Sequence, residues 1–138
     1  MNILVIDAQG GGVGKQLVAA LKKALPRAEV AAVGTNSAAT TAMLRAGADH
    51  AATGENAVVV GCRRADLIVG PVGIAIADAL WGEITPTMAL AVGQSRARRL
   101  LLPMNHCENL VLGVRDLNLS ALVQEAVERA VEFAGEMG

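Results

Sequence analysis

The chain is predicted to fold as one α/β domain over residues 1–138: three layers, with a mostly parallel sheet of about five strands between helices. Three observations predict this. Short, nearly continuous apolar runs alternate with longer amphipathic stretches, as expected for strands buried on both faces and the helices covering them. A glycine-rich turn follows the first run and opens the first amphipathic stretch. The composition is 53% apolar but 1% aromatic, with 15 Gly, one Trp, one Phe and no Tyr. The core must therefore come from Ala, Val, Leu and Ile, and small residues let helices sit close to the sheet.

Taken in order, Ile3 to Ile6 is the first strand. Val13, Leu17, Val18, Leu21 and Leu25 recur at helical spacing, and Pro26 stops that helix. Glu29 to Val33 is the second strand. The second helix starts near Asn36 or Ser37, either of which can cap it, and ends near Gly47. A third helix follows Thr53 as cap and runs through Val58-Val59-Val60 to Cys62-Arg63-Arg64. Its branched residues also fit a strand; the cap and the terminal cations favour the helix. Leu67 to Val69 is a strand, Gly70 to Gly73 the turn after it, and Ile74 to Leu80 a helix. Thr85-Pro86 reads as a cap plus first-turn proline, opening a helix through Val92. Leu100 to Leu102 is a strand stopped by Pro103, and Leu110 to Val114 is the fifth strand. Ser120 caps the last helix, whose apolar face carries Leu122, Val123, Ala126, Val127, Ala130 and Val131.

The same numbers exclude several classes. High apolar content and 18% charged residues argue against disorder and against a coiled coil. Two Cys cannot staple a fold, and the start at Met1 has no basic leader, so a reducing, cytoplasmic setting is expected. No apolar run reaches about 18 residues, so no membrane partner is expected. A net charge of −1 and the scarcity of aromatics argue against nucleic acid.

Asp7-Ala8-Gln9-Gly10-Gly11-Gly12-Val13-Gly14-Lys15 carries the strongest chemical signal. Glycines permit a tight turn and close approach by a phosphate, and a helix N-terminus offers free N–H groups to an anion. The dinucleotide fingerprint fits imperfectly: from Gly10 it needs Gly at Lys15, and from Gly12 it meets Leu17. The turn resembles the glycine loop of short-chain dehydrogenases, but with no Tyr as proton donor a full dehydrogenase of that type is excluded. Gly11 to Lys15 also resembles the loop of partitioning-type ATPases, with Gln16 where Ser or Thr would hold magnesium. Gly10, Gly11, Gly12, Val13, Gly14 and Lys15 are thus the candidate phosphate-binding residues. The alternative is a structural turn whose glycines only allow close packing. Asp7 is expected to stabilise that turn.

Thr35 and Asn36, at the end of the second strand, are candidates for a ribose or its 2′-phosphate, although no Asp or Glu stands there. Asn36 can equally serve as a cap. Gly70, Pro71 and Asn105 would meet the far end of the ligand. Glu55, Glu83, Asn105 and His106 are the candidate catalytic residues, gathered with Asn36 on the carboxyl edge of the sheet. No spacing places Glu55 beside Glu83. No metal is expected: His106-Cys107 stands alone, and His50 and Cys62 lack paired spacing. Arg63, Arg64, Arg96, Arg98 and Arg99 read as solvated helix ends or as an anion patch. Trp81 reads as an interface residue or a cover for the cleft.

As a set, Met1 to Lys15, Gly34-Thr35-Asn36, Ala46-Gly47-Ala48-Asp49, Ala52 to Ala57, Gly70-Pro71, Gly82 to Pro86 and Leu102 to Asn105 resemble a small bacterial domain-of-unknown-function family common in anaerobes. The resemblance covers nearly the whole chain and implies a compact Rossmann-like domain. It brings no activity with it. The expected function is binding of a nucleotide or dinucleotide, with NAD or NADP ahead of ATP. The alternatives are a ligand-sensing or assembly module without catalysis, and a small enzyme modifying a nucleotide or sugar phosphate. Whether the chain is an enzyme stays open at this point. A homo-oligomer is expected, because so small an Ala-rich domain has few groups to enclose a substrate alone.

Overall fold

A computed structural model describes residues 1–104, 108–114 and 118–137. The elements are β1 (Asn2–Asp7), α1 (Gly12–Ala24), β2 (Glu29–Gly34), α2 (Ser37–Arg45), β3 (His50–Thr53), α3 (Glu55–Arg64), β4 (Leu67–Pro71), α4 (Pro86–Gln94), β5 (Arg98–Leu102) and α5 (Leu119–Met137). The strands form one sheet in the order β3-β2-β1-β4-β5, every pair parallel. The order reverses between β1 and β4, which opens a crevice at their carboxyl ends.

Alternation along β1 explains the two cores. Ile3 and Val5 join Leu17, Val18 and Leu21 of α1, Met43 of α2 and Val123 and Val127 of α5 on one face. Leu4 and Ile6 join Val58 and Cys62 of α3 and Met88 and Val92 of α4 on the other. Both faces of β1 are therefore covered, which is why it reads as an unbroken apolar run. Small residues make the close approach possible: a Cβ on Gly61 of α3 would lie 3.1 Å from the Leu4 side chain.

Five strands are present among the described residues, but they are not the five expected. His50–Thr53 forms β3, paired to Ala31 through Gly34 of β2. It is a short edge strand without branched apolar residues, so its sequence carries no strand signal. Leu110 to Val114 forms a turn instead, with Leu110 80% and Leu112 84% exposed. Nor do residues 74–80 form an α-helix. A 3-10 turn at Val72–Ala75 gives way to Asp78, Leu80 and Trp81 at φ 66, 57 and 61, a left-handed conformation no α-helix contains. Gly70 and Pro71 belong to β4 rather than to the turn after it. Asn36 and Thr85 cap α2 and α4 as their sequence context predicts. Thr53 does not cap α3; it ends β3, and Gly54 takes the cap position. Ser120 lies inside α5, where Asn118 accepts the Ala121 N–H at 2.9 Å.

Candidate functional site

The β1–α1 turn sits at the reversal point of the sheet. Asp7 ends β1 and is 4% exposed. Its carboxylate accepts the Gly14 N–H at 2.6 Å and the Ala8 N–H at 2.8 Å. Burial pushes this carboxyl above its ordinary value, opposed by those amide bonds. Asp7 thus has the turn-stabilising geometry its position predicts. It also means that the chain's own carboxylate occupies part of the first turn of α1, where an external anion would otherwise bind.

The four glycines fall into two pairs. Gly11 caps α1 at φ 74, and a Cβ there would lie 2.9 Å from the Ala39 Cα. A Cβ on Gly14 would lie 2.5 Å from the Met43 Sδ and 2.9 Å from the Asp7 Cβ. Both are buried, and both are required by packing against α2. Gly10 and Gly12 are exposed, a Cβ on either would meet nothing within 4 Å, and neither has positive φ. Among the described residues, their amides have no hydrogen-bond partner. Lys15 is exposed one turn into α1 and joins no ion pair among the described residues. Val13 is buried in the core.

Glu83 reaches this turn from the loop after β4. Its Oε1 accepts from Thr35 Oγ1 at 2.6 Å, Asn36 Nδ2 at 2.8 Å and the Gln9 N–H at 3.0 Å. Partial burial works to raise its pKa, but the bonds from Thr35, Gln9 and Asn36 outweigh it and hold the carboxyl below the usual range. Glu83 therefore stays ionised at neutral pH and is a poor general acid. Asn36 also donates to the Gln9 carbonyl at 2.9 Å and accepts the Ala39 N–H at 2.9 Å. Three loops are joined at one carboxylate oxygen.

The remaining candidates are placed differently. Glu55 is exposed at the start of α3 and accepts from the Thr85 hydroxyl at 3.2 Å; no hydrogen bond joins it to Glu83. Gly70 and Pro71 are buried within β4. A Cβ on Gly70 would stand 2.5 Å from the Ile6 carbonyl oxygen, so packing alone accounts for that glycine. Asn105 and His106 lie outside the described residues. Cys62 is buried on α3, and burial pushes its thiol up to about 11, which leaves it protonated and unreactive. His50 pairs with Glu29 at 3.1 Å on the rim. Among the described residues, no group of three or more His, Cys, Asp or Glu is placed to hold a metal, and no helix is long and apolar enough to cross a membrane.

The arginines lie at the opposite edge of the sheet. Arg63, Arg64 and Arg96 line a groove of about 840 Å³ between the C-terminal ends of α3 and α4. Arg99 donates to the Val92, Ser95 and Ala97 carbonyls. Cations suit helix C-termini, so this groove is explained without a ligand. Arg98 stacks on Phe133 at 4.5 Å and pairs with Glu136 at 3.3 Å.

Sequence reasoning missed two parts of the site. Gln9 joins the network through its backbone, which its side chain does not advertise. The sequence marks Trp81 but not its setting: it is 92% exposed, beside the buried Leu80, on a left-handed turn closed by Gly82 N–H to Asp78 carbonyl at 3.1 Å. The available signal was Gly82 directly before Glu83.

No curated protein matches the chain. It is similar to a solved structure from Escherichia coli O157:H7, a dodecameric FMN-dependent UbiX-like decarboxylase, at 16% identity and a TM-score of 0.46. That likeness covers 98% of this chain and 94% of the other. The domain has the layered architecture and parallel sheet of a Rossmann-like fold, and a family model matches residues 2–135. The chain belongs to the family described as a domain of unknown function, DUF3842.

Proposed function

We propose that the protein binds a nucleotide or dinucleotide, NAD or NADP ahead of ATP, with its phosphate received by the Gly10 and Gly12 amides and the Lys15 ammonium. One observation carries this reading: Gly10 and Gly12 are glycines that nothing among the described residues requires. Their open amides and lack of a side chain suit an approaching phosphate. Asp7 accepts the Gly14 N–H deeper in the turn, so the exposed amides are the ones left for a ligand. Glu83, Thr35 and Asn36 lie beside the phosphate position, where the ligand's ribose follows.

Native mass spectrometry with NAD, NADP, ATP, GTP and sugar phosphates tests the assignment. Gly12→Ala and Lys15→Ala are each expected to weaken binding about tenfold or more while the fold persists. Binding that survives both substitutions rules the turn out.

Trp81 favours a second reading, in which ligand binding controls assembly rather than turnover. An indole 92% exposed, two residues before Glu83 in the chain, is suited to a subunit contact. Ligand that binds without being reduced or hydrolysed, together with a Trp81→Ala variant that lowers the sedimenting mass, is the outcome expected of that role.

A further inference from the structure

We propose that Glu83 selects the ligand's ribose, accepting hydrogen bonds from an unmodified hydroxyl pair and rejecting a 2′-phosphate. The inference rests on the phosphate reading above for the ligand's direction. The end of β2 carries Gly34-Thr35-Asn36 and has no acid of its own. Parallel folds that bind a dinucleotide place an acid there for the ribose, or a cation where a 2′-phosphate is taken. In this chain the acid arrives from a different strand. Glu83 lies 48 residues beyond Thr35 and is brought against it by the loop after β4.

The carboxylate is held from one side only. Thr35, Asn36 and Gln9 all donate to Oε1, and no described residue donates to Oε2. The residue is half-buried, so a ligand reaches it. A sugar following a phosphate at Gly10 and Gly12 lies along the seam that Glu83 bridges, between Gln9 and Thr35. A hydroxyl arriving there finds an unused acceptor. A phosphate finds a fixed negative charge, and the nearest donors, Thr35 and Asn36, are already committed to that charge. Among the described residues no Lys, Arg or His pairs with Glu83 to offset it.

Calorimetric titration of the intact chain with NAD, NADP, ADP and 2′-deoxy-ADP tests the proposal. The wild type is expected to bind NAD at least about tenfold tighter than NADP, and ADP about tenfold tighter than 2′-deoxy-ADP. Glu83→Gln keeps an acceptor for Thr35, Asn36 and Gln9 but removes the charge. It should bring NAD and NADP within about threefold of each other. Lys15→Ala should weaken all four ligands alike and leave the ratios standing. A wild type that does not distinguish NAD from NADP overturns the proposal, whatever the variant does. So does a Glu83→Gln protein whose ratio is unchanged. If no ligand binds, or Lys15→Ala has no effect, the phosphate reading fails and takes this inference with it. If Lys15→Ala abolishes binding but the wild-type ratio is one, only the role of Glu83 fails.

Discussion

The turns after β1 and β4 leave adjacent strands at the same edge of the sheet, and they draw on glycine to different degrees. The first is mostly glycine, with Gln9 at φ 52 its one left-handed residue that is not glycine. Two of its glycines are demanded by packing against α2, and two are left open to solvent. The second adopts left-handed backbone at Asp78, Leu80 and Trp81, with glycine only at Gly82, and Leu80 and Trp81 resist that conformation. It holds because Leu80 is 2% and Ile84 0% exposed, while Asp78 N–H donates to the Ile84 carbonyl at 2.7 Å. The lesson is that a tight turn can be set by glycine locally or by burial from a distance, and only the first is visible in sequence.

Substitutions sharpen this contrast, and Leu80→Gly should have the largest effect. It relaxes the backbone but removes a buried side chain, for a net loss of about 3 kcal/mol in urea unfolding. Gly14→Ala should cost about 1–3 kcal/mol, because Met43 and Asp7 leave no room, whereas Gly12→Ala should stay within about 0.5 kcal/mol. Equal costs for the two would erase the division of the glycines. Trp81→Gly should stabilise by about 0.5–1 kcal/mol, since it relieves the same backbone without losing burial. A destabilised Trp81→Gly monomer would mean that the indole packs against something. Glu83→Gln should show the smallest effect, and one that depends on pH. The depressed Glu83 pKa contributes stability above the unfolded value of about 4.3, and that contribution is lost as pH falls through the folded value. The stability gap between wild type and Glu83→Gln should therefore be widest near neutrality and close in acid. Asp7, whose pKa is raised, works in the other sense: its contribution is most favourable in acid and declines as pH rises through the raised value.

Much of the fold was legible because β1, β2 and β4 are buried on both faces and their apolar runs are unbroken. The caps at Asn36 and Thr85 were legible because capping is local chemistry. β3 was not, since His50-Ala51-Ala52-Thr53 is held by backbone pairing to β2 and needs no branched residue. Leu110 to Val114 misled for the converse reason: apolar residues signal a strand only if a neighbour pairs with them. Within the site, the glycine turn stood out by its spacing. The meeting of Glu83 with Thr35 and Asn36 did not, because it depends on how a left-handed turn aims a side chain across two strands. The absence of an acid at the end of β2, read alone, pointed away from a conventional ribose site.

The buried Asp7 carries one more consequence. It sits under the glycine turn with a carboxyl already pushed up by burial, and the charge of Glu83 adds to that. An anion placed on Gly10 and Gly12 brings a third negative group to the same few residues. Its arrival should raise the Asp7 pKa further, so that toward acid pH ligand uptake and proton uptake become one event. The heat of binding measured there should then vary with the ionisation enthalpy of the buffer, and that dependence should weaken as the pH is raised and proton uptake by Asp7 declines.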